Sequence, residues 1–113
     1  MPCKTLFIIP LKSAKNSGNW EMACRLLNRT LTSIEAQKEK SHHTFIICNE
    51  EPKINANTNK TTVLSTDISP SGIMTEKKGH LDKQQKIYFG LIKATTINPE
   101  YVMIMDADDL LHR

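Results

Sequence analysis

Apolar positions along this chain fall into short unbroken runs and longer stripes at helical spacing, and the two kinds alternate. The first run, Thr5 to Ile9, is continuous and ends at Pro10, as suits a strand buried on both faces. Asn16 to Asn19 is a turn and cap cluster, with Asn19 a good helix N-cap and Glu21 well placed in the first turn. Trp20, Ala23, Leu27, Leu31 and Ile34 then recur every three or four residues, which predicts a helix running to about Gln37. Thr44 to Cys48 is a second buried strand, closed by the polar residues Asn49, Glu50, Glu51 and Pro52.

The second half repeats the alternation with longer connections. Lys53 to Lys60 is polar and reads as a connection, and Thr61 to Ser65 as a short third strand. Asp67 to His80 carries Pro70, Gly72 and Gly79 without a clear period and is expected to be a loop. Asp82 is the expected cap of the next helix, with Gln85 completing a capping-box pattern and Ile87, Tyr88, Leu91, Ile92 and Thr95 as its apolar face. Asn98 and Pro99 stop that helix. A fourth strand, Tyr101 to Met105, delivers Asp106, Ala107, Asp108 and Asp109.

This order predicts an α/β fold: a Rossmann-like three-layer sandwich with a mostly parallel sheet, right-handed crossovers and helices on both faces. Ligands of such sheets bind beyond the carboxyl ends of the strands, where the winding direction reverses. If strands one and four are neighbours there, Pro10, Leu11 and Lys12 share a crevice with Asp106 to Asp109.

Composition narrows the classes without choosing among them. A chain of 113 residues suits one domain spanning 1–113. The formal charge of +3, with lysines scattered, permits an anion such as a diphosphate but gives no reason to expect nucleic acid. No apolar stretch is long enough to span a bilayer, and the run from Leu6 to Leu11 is too short for a signal-peptide core, so the expected location is the cytoplasm. Cys3, Cys24 and Cys48 are far apart and odd in number, which disfavours a disulfide framework or a zinc site. Cys24 and Cys48 fall where buried small hydrophobes belong. His42 and His43 are adjacent, so a regular element cannot aim both at one metal.

The residues that carry chemistry are the aspartates after the fourth strand. In extended geometry Asp106 and Asp108 point to the same side, about 7 Å apart. Two carboxylates there repel each other unless a cation or donors neutralise them, and hard oxygen ligands select Mg²⁺, Mn²⁺ or Ca²⁺. The competing reading is that Asp108 or Asp109 caps a helix starting at Leu110. Lys12 would meet an anion or simply be solvated. No glycine-rich dinucleotide fingerprint, P-loop or serine nucleophile elbow is present.

With these features the chain resembles family 2-type glycosyltransferases of the GT-A fold. The matching stretches are Thr5 to Pro10, the helix after it, Thr44 to Cys48, Asp82 to Gly90 and, most specifically, Tyr101 to Leu110 with its DADD sequence. The resemblance covers essentially the whole chain and corresponds to the first, nucleotide-sugar-binding half of such an enzyme. It implies that Pro10, Leu11 and Lys12 border the nucleoside pocket. Asp106 approaches the ribose and a Mn²⁺ or Mg²⁺ ion, Asp108 is the direct metal ligand, and Lys83 lies near the donor, a UDP-sugar. The family usually has an aspartate-rich turn after the second strand. Here Asn49 and Glu50 stand in its place. The family's acceptor site and general base lie after the DxD motif, so the expected activity of residues 1–113 alone is nil or very weak.

Two other readings compete. One is a non-catalytic nucleotide-sugar-binding or interaction module of the same fold, forming a homodimer through an uncovered sheet edge. The other is a phosphoryl-transfer enzyme of the haloacid dehalogenase type, which places DxD after its first strand, whereas here it follows the fourth.

Overall fold

The structure, a computed structural model, describes residues 4–12, 18–36, 41–54, 60–66 and 76–106, the side chains of 76–82 excepted. Among the described residues six elements follow in order: β1 (Thr5–Pro10), α1 (Trp20–Glu35), β2 (His42–Cys48), β3 (Thr61–Ser65), α2 (Glu76–Ala94) and β4 (Tyr101–Ile104). The four strands form one sheet in the order β3-β2-β1-β4, and every pairing is parallel. The fold is α/β, with β1 and β4 side by side as the crevice required.

Alternate residues of each strand point to opposite faces, so a parallel sheet needs cover on both. Phe7, Ile9, Ile46 and Cys48 meet Leu27, Leu31 and Ile34 of α1 on one face. Leu6, Ile8, Phe45 and Ile47 meet Ala94 and Phe89 of α2 on the other. This is the three-layer arrangement expected. Helix α1 starts where its cap predicts: Asn19 is extended (φ −142°) and its Oδ1 accepts from the Met22 N–H at 3.1 Å. Gly18 before it takes φ +77°, a left-handed value that glycine adopts without steric strain. Cys24 is buried on this helix and Cys48 on β2.

Three expectations about the second half need correction. Helix α2 begins at Glu76, so Asp82 lies inside it rather than capping it, and residues 76–80 of the expected loop are helical. Glu76, Lys77 and Lys78 are strong helix formers, enough to carry the helix across Gly79. The face that α2 buries is also not the apolar stripe. Lys86, Gly90 and Ala94, each one turn apart, turn inward, while Tyr88, Leu91 and Ile92 are exposed. A strip of glycine and alanine lets a helix backbone approach a sheet closely. A Cβ at Gly90 would sit 3.0 Å from Ile8 Cγ2 and 3.4 Å from Ile47 Cδ1.

The third correction concerns β4. It was expected to be covered on both faces, yet Tyr101, Val102, Met103 and Ile104 are all exposed, and only Met105 beyond it is buried. The reason is position: β4 is the edge strand, and α2 packs over β1 and β2. The stop signal before it works as predicted. Asn98 takes a left-handed φ of 47° ahead of Pro99, and its N–H donates to the Ala94 carbonyl at 3.0 Å, closing α2. Among the described residues no helix is long and apolar enough to cross a membrane.

Candidate functional site

The sheet order places the winding reversal between β1 and β4. Helix α1 follows β1 on one face, while α2 precedes β4 on the other. At their carboxyl ends the chains leave in register, with the Met105 N–H donating to the Ile8 carbonyl at 3.0 Å and the Leu11 N–H to the Ile47 carbonyl at 2.9 Å. These bonds bring Pro10, Leu11 and Lys12 alongside Asp106. Leu11 is buried, Pro10 half-buried, and Lys12 and Asp106 exposed. Asp108 and Asp109 lie outside the described residues.

Helix α2 contributes two lysines to this end of the sheet. Lys83 Nζ lies 2.5 Å from Asp106 Oδ1, with both side chains close to half exposed. Three residues on, on the same side of the helix, Lys86 is fully buried and donates from Nζ to the Leu11 carbonyl at 2.6 Å. One face of α2 therefore reaches the ends of both strands that form the crevice. A buried ammonium is costly unless its protons find acceptors, and the Leu11 carbonyl is one. Lys83 was anticipated and Lys86 was not. The signal that could have found it is its four-residue spacing to Gly90 and Ala94, which marks the buried strip.

Asn49 and Glu50 follow β2, on the other side of β1 from β4. They share the carboxyl end of the sheet with Asp106 but stand two strand spacings away, about 10 Å. Asn49 is half-buried, with its Oδ1 enclosed, and Glu50 is exposed. Cys48 beside them hydrogen-bonds weakly to the Leu64 carbonyl at 3.8 Å. Burial pushes its thiol pKa above the ordinary value, and Glu50 and Glu51 add to the rise, while Ser65 and the Lys86 charge oppose it. It is a core thiol.

At the opposite end of the sheet the histidines are structural. His42 is buried with its ring edge-on to Phe7, and His43 Nε2 lies 2.7 Å from Thr62 Oγ1. Among the described residues no group of three or more histidine, cysteine or acidic side chains is placed to hold a metal ion. Asp106 is one hard oxygen donor at the crevice mouth, with an ammonium already on it. A divalent ion held there would need its remaining oxygen ligands from elsewhere, such as a phosphate.

No family model matches the chain, and no curated protein or solved structure matches it either.

Proposed function

We infer that this chain is the donor-binding half of a family 2-type, GT-A-fold glycosyltransferase, taking a nucleoside-diphosphate sugar at the crevice between β1 and β4. One observation carries the reading: the parallel order β3-β2-β1-β4 puts Asp106, Lys83 and the Leu11–Lys12 segment at the winding reversal, where α/β sheets bind ligands. The resemblance of the DADD stretch supplies the specific chemistry, since fold alone does not fix a function. In this reading Asp106 and Asp108 hold a Mn²⁺ or Mg²⁺ ion. Bound there, the ion would bridge the diphosphate and offset the charge that develops as the nucleotide departs. Pro10 and Leu11 wall the nucleoside, with Leu11 steadied from below by Lys86. Lys12 and Lys83 supply positive charge for phosphate oxygens. Asn49 and Glu50 stand nearest the base, and a UDP-sugar is the first donor to test.

Isothermal titration of UDP, ADP and GDP with and without Mn²⁺ tests this directly. Metal-dependent binding of at least one nucleotide, lost in Asp106→Ala, is expected. If none of the three binds with metal present, the reading fails.

A second reading, a non-catalytic module of the same fold that self-associates, is favoured by the exposed apolar side chains of β4. Among the described residues nothing pairs with the outer edge of β4, and an edge strand with apolar residues on both faces is a pairing surface. Sedimentation velocity separates it from the first: a dimer dispersed by Val102→Lys, in protein that binds no nucleotide, would support it.

A further inference from the structure

The ion pair across the crevice mouth constrains what the crevice accepts. Lys83 comes from α2 and Asp106 from the end of β4, so their contact bridges two elements held independently. The surroundings are pinned: Lys86 is buried on the Leu11 carbonyl, and Met105 is bonded to Ile8. The pair itself is the adjustable part. Both side chains keep solvent access, and such pairs contribute little to stability, so both can change partners without unfolding anything.

Each half of the pair repels one half of a chelate and attracts the other. A free divalent ion reaching Asp106 meets the Lys83 ammonium at contact distance. A free polyphosphate reaching Lys83 meets the Asp106 carboxylate. A cation already chelated by a diphosphate brings one partner for each. We propose that Lys83–Asp106 is an exchangeable pair: the divalent ion takes the Asp106 carboxylate and the phosphate it chelates takes the Lys83 ammonium. The crevice thereby selects the metal–diphosphate complex over either component. The proposal rests on the nucleotide-sugar reading and adds the reason that metal and nucleotide bind together.

The test uses Mn²⁺ and UDP on the full chain, with electron paramagnetic resonance for metal alone and calorimetry for UDP with Mn²⁺ or with EDTA. In the unsubstituted chain Mn²⁺ should strengthen UDP binding by about tenfold or more, within the range usual for coupled sites. Lys83→Met should bind Mn²⁺ alone more tightly, by about threefold or more, and bind the Mn²⁺–UDP complex more weakly. Asp106→Asn should bind UDP in EDTA more tightly than the unsubstituted chain and gain nothing from metal. Lys83→Arg should restore the original pattern. Because both side chains are half exposed, thermal melts of all variants should coincide. If Lys83→Met leaves Mn²⁺ affinity unchanged or lowered while the unsubstituted chain shows metal-dependent UDP binding, the exchange is wrong and the nucleotide-sugar reading stands. Metal-indifferent UDP binding also overturns the exchange. No binding of UDP under any condition overturns both.

Discussion

Replacing Gly90 with alanine isolates the closest approach between α2 and the sheet. Two terms of opposite sign compete. In a helix interior alanine is favoured over glycine by about 1 kcal/mol. Against this, the new Cβ lands 3.0 Å from Ile8 Cγ2 and 3.3 Å from its Cδ1, and overpacking of this kind costs about 1–3 kcal/mol. Ile8 is fully buried and β-branched, so its Cγ2 cannot swing aside. The contact should win, leaving Gly90→Ala about 1 kcal/mol less stable than the parent. Ile8→Leu conserves volume while moving the branch off Cβ, which removes the nearest methyl. In that background Gly90→Ala should become neutral or stabilising by up to about 1 kcal/mol, a coupling of about 1–2 kcal/mol. Urea unfolding followed by far-ultraviolet circular dichroism and the fluorescence of the single tryptophan, Trp20, measures all four chains. Additivity within about 0.5 kcal/mol would show that α2 does not ride on Ile8 at Gly90, and the buried strip described for this helix would be wrong.

Other expectations follow from single contacts. Asn19→Ala removes the acceptor for the Met22 N–H and should destabilise by about 1 kcal/mol, with Asn19→Ser recovering most of the loss in the same melt. The pKa of His43 lies below the ordinary histidine value, first through burial and then through the neighbouring positive charges of His42 and Lys60. The folded protein therefore holds fewer protons there than the unfolded chain. The resulting stabilisation is present above about pH 6.5 and lost as pH falls through the folded value, and His43→Gln should flatten that part of the stability–pH profile. Cys48, a buried thiol with a raised pKa, should be alkylated by iodoacetamide at pH 8 only as fast as the protein opens. Peptide mapping that finds it modified at the rate of a free thiol would contradict its burial. Val102→Lys replaces an exposed side chain, so stability should change by less than about 0.5 kcal/mol while any self-association through β4 is lost in sedimentation velocity.

The strands and the first helix were readable because their signals come from one physical source. Thr5 to Ile9 and Thr44 to Cys48 are continuous apolar runs, and a parallel strand covered on both faces demands that pattern. Asn19 announces α1 because a side-chain acceptor is needed where backbone N–H groups have no helical partner. Helix α2 defeated the same logic. It carries two stripes, and counting apolar residues picks Ile87, Tyr88, Leu91 and Ile92, while the sheet receives Lys86, Gly90 and Ala94. Closeness of approach, which glycine and alanine allow, is invisible to a hydrophobicity count. The exposure of β4 was hidden for a different reason: a run such as Tyr101 to Met105 reads identically at the centre of a sheet and at its edge. Of the candidate site, Asp106 and the residues after β1 were legible from their places at strand ends and Lys83 from the resemblance, and the structure brings them together. Lys86 was not, since its four-residue spacing to Gly90 and Ala94 marks a buried strip only when small residues, and not apolar ones, are followed along the helix.

The pairing of β1 with β4 joins Thr5 to Tyr101, about ninety-five residues downstream, whereas β1 and β2 are separated by less than half that distance. Closing the longer loop costs somewhat more entropy, and among the described residues β4 gains ladder bonds from one neighbour only, so it should be the last strand to join the sheet and the first to detach. Asp106 travels with that strand. The crevice is then complete only in the fraction of molecules whose edge is seated, and any ligand held there should slow deuterium uptake at residues 101–105 more than in β1 or β2.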